Sequence, residues 1–135
     1  NDVSKANELS IISSNGHYIK SKNEDFLSIY NGIFGYKGNV SLKICKPVNL
    51  DKDINFDSIA KIIDKEIISG YKLHSSNYAA ASLLRIAFDK NKIAEEELNK
   101  AVNEMSNKVS VLSDGVRKNL LLQYANPIIQ KQNLV

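Results

Sequence analysis

Two histidines and one cysteine are the side chains with which this chain could carry out acid–base, nucleophilic or metal chemistry. Neither His17 nor His74 has a carboxylate or a cysteine at the spacing of a metal site. Ser75 and Ser76 directly follow His74, but immediate sequence neighbours rarely form a nucleophile–base pair. Cys45 has no neighbouring base that would make its thiol a nucleophile. We therefore interpret the histidines as exposed loop residues and Cys45 as a small half-buried residue, and we expect no metal site.

The acidic residues Asp51, Asp53 and Asp57 resemble the start of a calcium-binding loop, in which oxygen ligands alternate along the chain. Such a loop also needs a glycine at its sixth position and a glutamate at its twelfth. Counted from Asp51, these positions hold Phe56 and Ile62. The spacing therefore excludes a calcium loop of this type.

Three glycines at steps of three, Gly32, Gly35 and Gly38, form the most distinctive local pattern. The pattern lacks the Gly-Lys-Ser/Thr ending of a phosphate-binding P-loop. The segment from Gly35 to Gly38 matches the Gly-x-x-Gly loop with which KH modules hold a nucleic-acid backbone. That loop should join two helices, whereas a strand is expected here. We favour a tight helix-to-strand turn that uses glycine for a positive φ, with Lys37 at its tip facing an anion.

Hydrophobic periodicity predicts six helices and one strand around these residues. The helices cover residues 3–12, 23–34, 55–69, 77–88, 92–109 and a last segment from Ser113 or Asp114 to Tyr124, closed by Pro127. The strand covers residues 39–48, where Val40, Leu42 and Ile44 alternate with polar positions.

A single strand leaves both of its hydrogen-bonding edges unpaired, so the rest of its sheet must lie elsewhere. We therefore expect an α/β fragment that is mostly helical, with the strand's partners outside this chain or in another copy. Asn1 stands in place of an initiator methionine, which favours a piece of a larger protein. Residues 1–54 are predicted to end an α/β core, and residues 55–135 to form a C-terminal helical lobe.

The amino-acid composition excludes several classes of protein. Apolar residues make up 43% and charged residues 24% of the 135 residues, which is typical of a globular domain. The apolar runs are only a few residues long, so no transmembrane helix is predicted. The net charge is +3 without a basic block, and we expect no nucleic-acid partner. A single cysteine excludes an intrachain disulfide and fits the reducing cytoplasm.

Several segments, in order and spacing, resemble the later part of a bacterial branch of the 1-acyl-glycerol-3-phosphate acyltransferases, within the lysophospholipid acyltransferase family. The matching segments are residues 4–9, 23–29, 32–40, 45–47, 62–80 and 124–127. The resemblance implies an enzyme of phospholipid biosynthesis, peripheral at the cytoplasmic face of the inner membrane. It implies transfer of a fatty acyl group from acyl-CoA or acyl carrier protein to a lysophospholipid hydroxyl, without a cofactor.

The family's catalytic signature, a histidine followed five positions later by an aspartate, is absent here. Five positions after His17 stands Lys22, and five after His74 stands Ala79. The family's Pro-Glu-Gly block for the acceptor phosphate is also absent. Both blocks would lie upstream of Asn1, so we assign no catalytic residue and expect this chain alone to be inactive.

Four lysines are the candidate contacts of this chain with an anionic membrane surface or a thioester carrier: Lys37, Lys43, Lys46 and Lys72. The alternative is a small non-enzymatic interaction module. In that hypothesis the strand pairs across a homodimer or with the edge of a partner's sheet.

Overall fold

The computed structural model describes residues 2–48 and 55–134 as an all-helical chain. Its helices are α1 (Asp2–Asn15), α2 (Glu24–Phe34), α3 (Phe56–Ser69), α4 (Ser75–Leu83), α5 (Glu95–Ser110) and α6 (Asp114–Gln132), with a 3₁₀ turn at Lys90–Lys92. The six predicted helices are therefore confirmed, as is the mostly helical character of the chain. None of the helices in the described ranges combines the length and the apolar character needed to cross a bilayer.

The hydrophobic core lies between α1, α4, α5 and α6. Leu120 of α6 is its largest fully enclosed side chain. Small residues bring the helices close together, because Ala6 of α1 and Ala79, Ala80 and Ala81 of α4 are completely buried. Burying one leucine side chain contributes about 1.5–3 kcal/mol, so this four-helix contact is the main source of stability in the described residues.

The predicted strand at residues 39–48 is wrong for this structure, and so is the α/β assignment. The segment forms no regular secondary structure, and the part of the chain that the structure describes contains no strand. Val40, Leu42 and Ile44 are 77%, 90% and 89% exposed. Alternating apolar residues favour a strand only when a second strand supplies hydrogen bonds and a neighbouring apolar face. Neither is present among the described residues.

Helix α4 begins and ends earlier than its periodicity predicts. The side chain of Asn77 accepts a hydrogen bond of 2.7 Å from the backbone N–H of His74, which starts the helix at Ser75. Arg85 adopts a left-handed conformation with φ of 58°. The N–H of Ile86 reaches back to the carbonyl of Ala81 at 2.8 Å. This bonding closes the helix in a Schellman-type turn well before residue 88.

Helix α6 continues through Pro127, where the sequence predicts its end. Proline lacks an N–H, so the carbonyl four residues earlier, that of Gln123, receives no helical bond from it. The neighbouring carbonyl of Tyr124 accepts a bond of 2.8 Å from the Asn77 side chain of α4. Beyond the proline, Ile128 is 3% exposed in the core. Packing against α4 therefore keeps the last turns of α6 helical.

Helix α2 is amphipathic, yet its apolar side faces solvent. It buries none of its residues. The side chains exposed on it are Phe26, Leu27, Ile29, Tyr30, Ile33 and Phe34, at 51% to 71% each. A groove of about 420 Å³ separates α2 from α1, and mostly polar residues of both helices line it. The polar side of α2 is thus turned toward the molecule, opposite to the usual arrangement.

The predicted boundary at residue 54 falls among residues 49–54, which lie outside the described residues. On either side of it, α1 from the first part packs against α6 from the second. Helix α3 also contacts α6 but buries none of its residues.

Candidate functional site

Two adjoining clefts share His74, the residue that precedes α4. The first, which we call the Lys108 cleft, has a volume of about 650 Å³ and is lined by Asp2, Tyr36, Lys37, Gly38, Asn39, His74, Ser75, Ser76, Asn77, Lys108 and Tyr124. The second, the Lys43 cleft, has a volume of about 560 Å³ and is lined by Ser41, Leu42, Lys43, Cys45, Ile67, Gly70, Tyr71, Lys72 and His74. Together they are lined by His74, Cys45 and three of the four candidate lysines.

A three-residue network ties together one wall of the Lys108 cleft. Lys108 Nζ and the Tyr124 hydroxyl each donate to Oδ2 of Asp2 at 2.5 Å. Lys108 Nζ also lies 3.1 Å from the Tyr124 hydroxyl oxygen and 5.1 Å from the centre of its ring. This network fastens α1 to α5 and α6.

The network sets the protonation of its members. Burial alone would raise the pKa of Asp2, but hydrogen bonds from Lys108, Tyr124 and the Val3 backbone lower it to about 2. Burial would lower the pKa of Lys108, and its bonds to Asp2 and Tyr124 raise it instead. Burial and the bond to Asp2 raise the pKa of Tyr124. The wall is therefore an ionised Asp2–Lys108 pair at neutral pH, with a neutral tyrosine beside it.

Asn77 fixes the backbone at the point where the two clefts meet. It is 9% exposed and uses both ends of its amide. Its oxygen accepts from the His74 N–H at 2.7 Å, and its nitrogen donates to the Tyr124 carbonyl at 2.8 Å. The position of His74 relative to α6 is thus set by one buried side chain.

Three of the four lysines singled out from the sequence line these clefts, and the fourth does not. Lys37 lies in the Lys108 cleft, where its Nζ donates to the carbonyls of Gly35 at 2.9 Å and Asn31 at 3.2 Å. These bonds cap the C-terminal end of α2. Lys43 and Lys72 both line the Lys43 cleft, whereas Lys46 is exposed and lines neither cleft.

The other residues that the sequence offers for chemistry form no shared site among the described residues. His17 is exposed, and its Nδ1 lies 3.2 Å from the carbonyl of Asn15. Cys45 is half-buried, as predicted, with its Sγ 3.9 Å from the carbonyl of Glu66. Asp51 and Asp53 fall outside the described residues, and Asp57 lies in the first turn of α3. Over residues 2–48 and 55–134, no three histidine, cysteine or carboxylate side chains are grouped as a metal would require.

The glycine run forms a turn, as predicted, although it leads into an irregular segment and not a strand. Gly38 has a φ of 65°, which glycine adopts without a steric penalty. Gly35 is required for space, because an added Cβ would lie 2.5 Å from the Asn31 carbonyl oxygen. The run therefore ends α2 and delivers Lys37 to the Lys108 cleft.

Sequence reasoning missed Asp2, Lys108 and Tyr124 as partners. They lie at opposite ends of the chain, and no local spacing connects them. Tyr124 stands in one of the segments that carry the family resemblance, which was the one available signal.

The clefts offer cations and hydroxyl groups, which suit binding of an anion. Within the described residues, no hydrogen bond joins the His74 imidazole to the hydroxyls of Ser75 or Ser76. These described residues therefore form no contact between a serine nucleophile and a histidine base. Comparison of the chain with protein-family models, with curated proteins and with solved structures found no match.

Proposed function

We propose that this chain is the C-terminal segment of a membrane-surface acyltransferase of phospholipid biosynthesis. In this proposal the enzyme moves a fatty acyl group from acyl-CoA or acyl carrier protein to a lysophospholipid. The catalytic histidine and aspartate lie in the part of the enzyme that precedes residue 1. The specific reaction rests on the sequence resemblance, and the geometry supports the role of the chain as one part of a larger enzyme.

The observation that carries the proposal is that the apolar side of α2 and the apolar positions of residues 39–48 are both exposed. Large apolar surfaces on a protein mark contacts with another protein or with a membrane. The remainder of a larger enzyme would cover the apolar side chains of α2 and of residues 39–48.

The lysines support a place at an anionic membrane surface on the cytoplasmic side. Residues 35–48 carry Lys37, Lys43 and Lys46 and no acidic residue. A lysine close to an anionic bilayer contributes about 1 kcal/mol, so three such residues in a segment with exposed apolar side chains give a weak peripheral attachment.

Sequencing the coding DNA upstream of the Asn1 codon tests the proposal. We expect an in-frame His-x-x-x-x-Asp block followed by a Pro-Glu-Gly block, both before Asn1. A start codon or an in-frame stop immediately before Asn1 would contradict the proposal, because the catalytic residues would then have no place in the protein.

A non-enzymatic module that dimerises is the second candidate, and the same exposed side of α2 favours it. Two copies related by a two-fold axis would cover each other's apolar residues. Sedimentation equilibrium distinguishes the candidates: a discrete, saturable dimer supports the module, whereas a monomer that does not form a defined dimer supports the acyltransferase segment.

A further inference from the structure

We propose that the two clefts joined at His74 form one binding site for a phosphate monoester. The inference goes beyond the proposed function, because it concerns binding by this chain alone and holds whether or not the chain belongs to an acyltransferase.

The charge of the joined clefts is the first argument. Four lysines line them, Lys37 and Lys108 in one and Lys43 and Lys72 in the other. The single carboxylate among the lining residues is that of Asp2, which is bonded to Lys108 and Tyr124. The lining residues therefore carry a net positive charge with the histidine neutral, in a protein whose total charge is only +3.

The availability of two of these lysines is the second argument. Within the described residues, neither Lys43 nor Lys72 forms a hydrogen bond or an ion pair through its ammonium group, whereas Lys37 and Lys108 are both bonded. The Lys43 side chain lies over Gly70, where an added Cβ would meet its Nζ at 3.2 Å. Gly70 thus leaves room for the Lys43 side chain at the edge of the cleft.

The neutral groups of the clefts explain why a phosphate monoester fits better than a carboxylate. A phosphate monoester carries close to two negative charges and three acceptor oxygens, enough for two separate lysines and a hydroxyl donor. Ser75 and Ser76 line the Lys108 cleft, and their hydroxyls make no hydrogen bond within the described part of the chain. They lie on the first turn of α4, whose dipole adds a partial positive charge.

Two apolar residues of the Lys43 cleft form a wall for the organic part of the ester. Leu42 and Ile67 line the Lys43 cleft and are 90% and 45% exposed. The headgroup of lysophosphatidic acid and the 3′-phosphate of coenzyme A are two sources of the same chemistry, a phosphate monoester attached to a larger body.

Isothermal titration of the 135-residue chain tests the inference with four probes. The probes are inorganic phosphate, glycerol 3-phosphate, coenzyme A and a short-chain lysophosphatidic acid below its micelle concentration. We expect one-to-one binding of glycerol 3-phosphate that weakens as salt increases. Tighter binding of the lysophosphatidic acid assigns the site to a lipid, and tighter binding of coenzyme A assigns it to a thioester carrier.

Two double variants that each remove two lysine charges, one inside the site and one outside it, test whether the lysines of the clefts bind the phosphate. The double variant Lys43→Gln, Lys72→Gln should weaken binding about twenty-five-fold, since each exposed lysine contributes about fivefold on this scale. The double variant Lys100→Gln, Lys118→Gln removes two exposed lysines that line neither cleft, and it should bind as the unaltered chain does. Lys72→Arg should retain binding. Equal losses in the two double variants, or no binding of any probe at millimolar concentration, would overturn the inference.

Discussion

At the scale of single residues, the chain is held together by contacts that no local sequence pattern contains. The resemblance to the acyltransferases makes Lys37, Lys43, Lys46 and Lys72 candidate anion contacts, and all but Lys46 line the clefts. Their meeting at His74 could not be predicted, since it depends on where residues 35–48 lie relative to the connection between α3 and α4. The Asp2–Lys108–Tyr124 network joins residues from both ends of the chain, so only the folded structure shows it.

The Asp2 carboxylate makes stability depend on acidity. Its pKa falls from an ordinary value of 3.8 to about 2 in the folded chain, so its contribution is complete above about pH 4 and is lost as the pH falls to about 2. Asp2→Asn should therefore lower the free energy of unfolding by about 1 kcal/mol at pH 7, after allowance for solvent screening. The difference from the unaltered chain should disappear near pH 2.

Urea unfolding at a series of pH values measures this effect, and Asp114→Asn is its control. Asp114 also pairs with a cation, Arg117, but its side chain is 97% exposed. The control should change stability by less than about 0.5 kcal/mol. A constant difference between Asp2→Asn and the unaltered chain from pH 7 to pH 2 would show that the carboxylate charge has no role.

Asn77 is the residue whose removal should be most costly among the polar side chains. Asn77→Ala leaves the His74 N–H and the Tyr124 carbonyl without their partner. We expect a loss of about 2–3 kcal/mol in the free energy of unfolding, because partly buried groups would lose their hydrogen bonds. Asn103→Ala, at an exposed position of α5, should cost less than about 1 kcal/mol. Similar urea midpoints for the two variants would contradict this account.

At the scale of helices and strands, periodicity predicts which segments are helical, and packing decides where each one ends. All six helices follow from apolar spacing. The end of α4 at Leu83 and the passage of α6 through Pro127 depend on bonds and contacts between helices. The prediction of a strand at residues 39–48 is wrong for a related reason. A strand needs a second strand to pair with, and the described residues contain none. The orientation of α2, with its apolar side toward solvent, likewise cannot be predicted from the sequence of the helix.

Two leucines of α6 test the position of the core. Leu120 is fully buried and Leu122 is 37% exposed. Leu120→Ala should lower the free energy of unfolding by about 3 kcal/mol, because it removes apolar contacts and leaves a cavity. Leu122→Ala should lower it by less than about 1.5 kcal/mol. Thermal unfolding of both variants measures the two losses of stability. A larger loss for Leu122→Ala would mean that the core lies on the side of α6 opposite to that seen in the structure.

Substitutions on the exposed side of α2 should, in contrast to Leu120→Ala, leave the stability of the chain almost unchanged. Replacing Ile29 and Ile33 together by lysine should change the free energy of unfolding by less than about 1 kcal/mol, because both side chains already face solvent. The same double variant should remain soluble at higher concentration. Circular dichroism during urea unfolding, with Leu120→Ala as the destabilised reference, measures the first effect. A loss comparable to that of Leu120→Ala would mean that α2 packs inward.

At the scale of the whole molecule, the chain combines a well-packed helical core with an apolar surface that has no cover within the described residues. The core contains α1, α4, α5 and α6, while α2 and residues 39–48 present apolar side chains to solvent. This division is what we expect under the proposed function, in which the chain is one segment of a larger enzyme. Under the same proposal, the clefts at His74 bind a phosphate group and catalysis takes place in another part of the enzyme.

Acyl transfer itself is the most direct test of the central claim, that these residues are the C-terminal segment of a lysophospholipid acyltransferase. The measurement is formation of phosphatidic acid from lysophosphatidic acid with a radiolabelled acyl donor, supplied as acyl-CoA and as acyl carrier protein. The protein encoded by the complete reading frame should form the product, and the 135-residue chain alone should form none. Product formed by the 135-residue chain alone, or no product from the complete protein with either donor, would contradict the account.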